Sequence, residues 1–177
     1  MPMATTDRHN KLTSSLFGEI YDLFKKKEAH ALQSDCALVH WGQRDRNEWT
    51  SLIDVKDTDN IDDVEEFLQA TIIELDYVMP DFMLFKNNSY LRNERGTRTA
   101  GQPDLIVEIW SRSNKEIDRN FLRQLYATSD VTEFWQIEQN SNIVKCSIGV
   151  TKLPEQSLTN ILKTQKGLEF DLRHCAI

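Results

Sequence analysis

Close cysteine pairs, long apolar runs and an excess of positive charge are all missing from this chain, and each absence removes a class of function. The three cysteines, Cys36, Cys146 and Cys175, are odd in number and far apart. They suggest neither a disulfide framework nor a zinc site, and a reducing, cytoplasmic setting is expected. No apolar run approaches the roughly 18 residues needed to cross a bilayer, and the N-terminus has no signal-peptide core, so no membrane association is expected. The net charge of −7 argues against an indiscriminate nucleic-acid binder. Internal repeats and low-complexity segments are absent too. What is left is a single soluble domain, residues 1–177, long enough for one sizeable core.

The charge is unevenly spread. Between Lys86 and Arg123 stand Lys86, Arg92, Arg95, Arg98, Arg112, Lys115, Arg119 and Arg123, against Glu94, Asp104, Glu108, Glu116 and Asp118. This net positive segment surrounds an unbroken aliphatic run, Pro103 to Trp110, that reads as a strand buried on both faces. Alternation places Asp104, Ile106, Glu108 and Trp110 on one face and Leu105, Val107 and Ile109 on the other. Glu108 then points into something enclosed, where an ionised carboxylate is costly unless a metal, a cation or several donors meet it.

Before that strand, the pattern predicts a helix over Asn10 to Glu28 with Leu12, Leu16, Phe17, Ile20, Leu23 and Phe24 in one stripe and Glu19 at its edge. A strand is expected over Ser34 to Trp41, then an acidic loop or hairpin insertion from Gln43 to Asp63, then an ambiguous helix-to-strand segment from Glu65 to Tyr77. Val78 to Phe85 reads as a second apolar strand, with Pro80 where the chain enters the sheet and Asp81 beside it. Asn87 to Gln102 reads as an exposed loop whose Arg92, Arg95 and Arg98 could meet phosphates. After the central strand a helix is expected from Asn114 to Thr128, with Ile117, Phe121, Leu122 and Leu125 as its apolar stripe and Asp118 in the middle. Glu133 to Glu138 and Ile143 to Ile148 read as paired strands, followed by short closing elements at Ser157 to Leu162 and Gly167 to Leu172.

This order implies an α/β (α+β) domain, a mixed sheet with helices against it. Asp81, Glu108, Asp118 and Glu19 are the acids expected to converge. Such a cluster needs a counter-charge, and oxygen-only ligation suits Mg2+ or Mn2+, the usual arrangement for phosphodiester hydrolysis.

Met79-Pro80-Asp81, Gly101-Gln102-Pro103-Asp104-Leu105-Ile106-Val107-Glu108-Ile109, Asp118-Arg119, Leu125-Tyr126-Ala127 and Val131-Thr132-Glu133-Phe134-Trp135 follow one another in an order that resembles the Uma-two family of restriction-endonuclease-like proteins. The resemblance implies a restriction-endonuclease-like PD-(D/E)XK fold, a mixed central sheet flanked by helices. It also implies a metal-dependent DNA endonuclease, with Asp81 as the acid of the Pro-Asp motif, Glu108 as the acid of the E-x-K motif, and both as ligands of Mg2+ or Mn2+. DNA is the implied partner, and a homodimer is compatible with the sequence. Two positions depart from the family. Trp110 stands where an E-x-K lysine would stand, and Leu122 stands where the family supplies its lysine from the following helix, four residues before Tyr126. On the first helix, the position of a family acid falls at Ser15, with Glu19 one turn later. The alternative is a degenerate member that keeps the fold as a binding or oligomerisation module.

Overall fold

The computed structural model describes residues 7–25, 30–33, 37–39, 77–85, 90–92, 98–101, 103–111, 113–128 and 131–177. The first helix, α1, spans Asp7–Lys25. Its Leu12, Leu16 and Leu23 are buried and Phe17 packs beside them, as the stripe predicts. The side chains of Ile20 and Phe24 lie outside the described residues, as do the expected segments from Gln43 to Asp63 and from Glu65 to Asp76.

The main sheet is built on β7, Leu105–Trp110, whose six residues are all buried. One neighbour is β4, Phe82–Phe85, antiparallel to it, and β4 in turn pairs with β1, His30–Gln33. The other neighbour is β8, Phe134–Glu138, which runs parallel to β7. A parallel pair cannot be closed by a tight turn, so the chain crosses over through α2, Glu116–Thr128. Antiparallel to β8 comes β9, Ile143–Ile148, and the short β10, Thr151–Lys152, and β11, Gln156–Ser157, both pair with β9. The sheet is therefore mixed, with the strand order β1-β4-β7-β8-β9-β10.

The expectation of an irregular Asn87 to Gln102 loop needs correcting. Tyr90–Arg92 forms β5 and Arg98–Gly101 forms β6, and they join β2, Ala37–Val39, and β3, Tyr77–Val78, in a separate sheet of order β3-β2-β6-β5. Strands of two to four residues, rich in polar side chains, give no alternation long enough to see in sequence. The chain closes with a hairpin of β12, Leu162–Lys163, and β13, Glu169–Phe170, and a single 3-10 turn at Arg173–Cys175.

Alternation along β7 divides the core in two. Leu105, Val107 and Ile109 pack with α1, Trp135 and the closing hairpin; Ile106 and Trp110 pack with Val131, Phe134, Leu125 and Tyr126 under α2. The helices thus lie on opposite faces of the sheet; the sequence predicts a mixed sheet with helices against it but does not assign the faces.

The face that α2 turns to the sheet is not the predicted one. Ile117 is 74% exposed and Phe121 52%, whereas Leu125 and Tyr126 are buried and Leu122 packs partly against the same cluster. At 100° per residue the buried face is turned by roughly a quarter of a revolution or more from the expected stripe. That rotation brings Arg119, Arg123 and Tyr126 to the sheet; Asp118, in the first turn, is exposed.

Candidate active site

Extending the β4–β7 register by one pair from Phe82 and Val107 puts Asp81 opposite Glu108. Residues directly opposite in an antiparallel ladder share a face, with Cβ atoms about 5 Å apart, so the two carboxylates are brought together by the strand pairing itself. The ladder ends there because the chain bends at Asp81, beside Pro80, which has no N–H to give. In place of a ladder bond, Ile109 N–H donates to Asp81 Oδ2 at 2.7 Å.

Glu108 is 6% exposed. It accepts a hydrogen bond at 2.8 Å from the Tyr126 hydroxyl, which α2 delivers through its actual rotation, and another from the Asp81 backbone N–H. Burial first, and the neighbouring Asp81 charge second, push the Glu108 carboxyl up to about 8, while the two hydrogen bonds act the other way. Asp81 is also raised, chiefly by burial, with the Ile109 amide and His9 opposing. Tyr126 is held strongly in its neutral form by burial and by the adjacent Glu108. A buried acid raised further by a neighbouring carboxylate belongs to a pair short of positive charge. The nearest described cation candidate is His9, whose Nε2 is 4.0 Å from Asp81 Oδ1, with its Nδ1 2.9 Å from Gln139 Nε2. The N-terminal turn carrying His9 is anchored by Arg8, which donates to the Gln139 and Ser141 carbonyls and to Asn142 Oδ1.

Trp110, which stands where the sequence resemblance leads one to expect a lysine, is buried beneath α2. The guanidinium carbons of Arg119 and Arg123 lie 5.0 and 4.8 Å from its ring centre, a stacking that arginine makes well. Arg119 is further tied to Glu138 at 2.8 Å and to the Ser111 carbonyl. Arg123 donates to Gln136 Oε1 at 3.1 Å and to Glu116 and Asn120 at 2.7 Å. Gln136 is the ladder partner of Glu108 on β8. Two arginines thus stand beside the place where a lysine is absent, one residue removed from Glu108.

Four acids were expected to converge, and the structure brings together two, Asp81 and Glu108. Asp118 is exposed, in the first turn of α2 with Ile117, ahead of the Leu122, Leu125 and Tyr126 side chains that pack on the sheet. Glu19 is half-buried and accepts a hydrogen bond from Asp171 N–H at 3.0 Å. It lies ten residues along α1 from His9, about 15 Å at 1.5 Å per residue, so it fixes the C-terminal segment instead of facing Asp81. Ser15 likewise meets His174 at 2.7 Å. Asp104, on the same strand face as Glu108 by alternation, is ion-paired with Lys166. The side chains of Arg92 and Arg98, and the whole of Arg95, Arg112 and His40, lie outside the described residues.

Among the described residues no three His, Cys, Asp or Glu side chains meet as a metal site. The two carboxylates nevertheless suit a hard cation such as Mg2+, which typically takes one or two carboxylates and keeps several waters. The sequence marked Asp81 and Glu108 but gave Tyr126, His9 and Gln136 no part. A tyrosine one turn after Leu122 was the available signal for Tyr126, masked by the misjudged helix face.

Residues 57–170, well over half of the chain, match the Uma2 family, described as "Putative restriction endonuclease". A crystal structure of a "putative nuclease belonging to DUF820" from Anabaena variabilis is similar over 97% of this chain and 83% of that one, with a TM-score of 0.64 at 12% identity. At that identity the likeness speaks for the fold alone. Among curated proteins none matches this chain. With a family match over residues 57–170 and a structural likeness over 97% of the chain, the chain belongs to the Uma2 family and has a restriction-endonuclease-like fold.

Proposed function

We propose that this protein is a metal-dependent DNA endonuclease in which Asp81 and Glu108 hold Mg2+ or Mn2+ and the reaction is phosphodiester hydrolysis. The observation that carries this reading is the pairing of a buried carboxylate, Glu108, with a half-buried one, Asp81, whose charge opposes its ionisation, at the point where β4 enters the sheet. Asp81 and Glu108 would hold the ion, which would supply the missing positive charge and Lewis-acid chemistry for the phosphodiester and water. The chain's own contribution is orientation. The Ile109 amide holds one oxygen of Asp81, and Tyr126 and the Asp81 amide hold Glu108. His9 stands beside Asp81, its Nε2 4.0 Å from Oδ1.

A second reading, a protein of this fold that binds DNA without cutting it, is favoured by one observation. Trp110 and Leu122 occupy both positions where the family resemblance places a lysine. Arg119 and Arg123 are poor bases at any ordinary pH and are held by other partners.

Nicking of supercoiled plasmid with millimolar Mn2+ separates the two. The nuclease reading expects slow nicking by the wild type that requires the ion and disappears in both Asp81→Asn and Glu108→Gln. Tight plasmid binding with no nicking supports the second reading, and nicking that persists in Glu108→Gln overturns the site assignment.

A further inference from the structure

On the α2 face of the sheet, beyond the acid pair, lies a cavity of about 370 Å³ whose walls include Arg123, Gln136, Lys145, Ser147, Lys152 and Glu155. Glu108, Gln136 and Lys145 are successive partners across β7, β8 and β9, so they share one sheet face in a single row. Three positive side chains line this space against one carboxylate, Glu155, and one of the three, Arg123, is also ion-paired with Glu116. Neither Lys145 nor Lys152 has an acid within ion-pair distance among the described residues. Gln136 is more than nine-tenths buried, and its carbonyl oxygen is taken by Arg123. Its amide nitrogen has no acceptor among the described residues and borders the cavity. The lining therefore offers donors and cations with little to balance them. Burial pushes the Cys146 thiol at the wall up to about 11, so it contributes packing and no charge.

We propose that this cavity is a second phosphate subsite, which receives a phosphodiester of the DNA strand flanking the bond held at Asp81 and Glu108. The inference rests on the nuclease reading and adds to it the residues that grip the substrate away from the chemistry. Two strand spacings of about 4.8 Å separate Glu108 from Lys145. That span, about 10 Å, equals the axial rise of about three nucleotides of one strand. Arg123 is the group common to both places, stacked on Trp110 beside the acids and lining the cavity. Lys145 and Lys152 act as point charges on the phosphate, Ser147 and the Gln136 amide as its hydrogen-bond donors.

The test is anisotropy of a fluorescent duplex of about 20 base pairs, with chelator present, comparing wild type with the Lys145→Ser/Lys152→Ser double variant. Both lysines are exposed, so the variant should fold, which an unchanged melting temperature confirms. Losing two phosphate contacts should lower the slope of log affinity against log salt by about two, so that between about 50 and 200 mM salt the variant loses roughly tenfold less affinity than wild type. A duplex bound by both proteins with the same slope overturns the subsite and leaves the nuclease reading standing. Absence of wild-type binding at about 50 mM salt overturns the subsite as well, and the nuclease reading then stands or falls on the nicking assay.

Discussion

Glu108→Gln should make the protein more stable at pH 8 than the wild type and remove much of its pH dependence. In the folded chain the Glu108 carboxyl titrates at about 8, against 4.5 for the ordinary group, because burial and Asp81 oppose its charge. Between those two values the folded state keeps a proton that the unfolded state has released. Stability therefore falls as pH rises through this window, the reverse of the behaviour of a salt-bridged acid. Below about pH 4.5 Glu108 is protonated in both states and costs nothing. Above about 8 it is ionised in both, and the whole penalty, on the order of a few kcal/mol, is felt. Glutamine stays neutral throughout and still accepts from Tyr126. Melting curves of the two proteins from pH 5 to pH 8, with chelator present, should diverge steadily as the wild type loses stability. Parallel curves would mean that Glu108 is not buried beside a second carboxylate.

Leu122→Lys should raise metal-dependent plasmid cleavage by a factor on the order of 10² to 10⁴, the usual contribution of a positioned proton-transfer group. Leu122 packs partly under α2 on the same helix face as Tyr126, which stands one turn on and already touches Glu108. A lysine there can lay its stem against Leu125 and Tyr126 and carry its ammonium to Glu108. Asp118 gives it no help, since that side chain is exposed. The acid pair offsets part of the cost of burying the new charge, and the lost leucine contacts leave a net penalty of roughly 1 to 3 kcal/mol. Leu122→Met keeps the packing and should leave cleavage as it was. A lysine variant that folds yet cleaves no faster than wild type would mean that the missing lysine is not what limits this protein.

The acid pair was legible in sequence because strand geometry is simple. An aliphatic run such as Leu105 to Trp110 has only two faces, and a Pro-Asp at the mouth of the next apolar strand has few places to go. Helix α1 was legible for a similar reason, since Leu12, Leu16 and Leu23 leave one choice of buried face. Helix α2 was not. It carries apolar side chains on two flanks, and hydropathy alone favoured Ile117 and Phe121, which face solvent. The face that packs includes Arg119 and Arg123, whose stems and guanidinium planes cover Trp110. A pattern that counts arginine as polar cannot find such a face. The same error put Asp118 inside and hid Tyr126. Glu19 was misplaced for another reason: the segment whose amide it accepts, at Asp171, is 152 residues away in the chain.

Calorimetric titration with Mn2+ at pH 7 tests the central claim, that Asp81 and Glu108 form a divalent-ion site, most directly. Glu108 is mostly protonated at that pH and must lose its proton to ligate, so binding should release up to about one proton per ion. The apparent heat should then change between buffers of different ionisation enthalpy, and both saturable binding and proton release should vanish in Asp81→Asn. No saturable heat at millimolar Mn2+, or the same heat from Asp81→Asn as from wild type, would contradict the account.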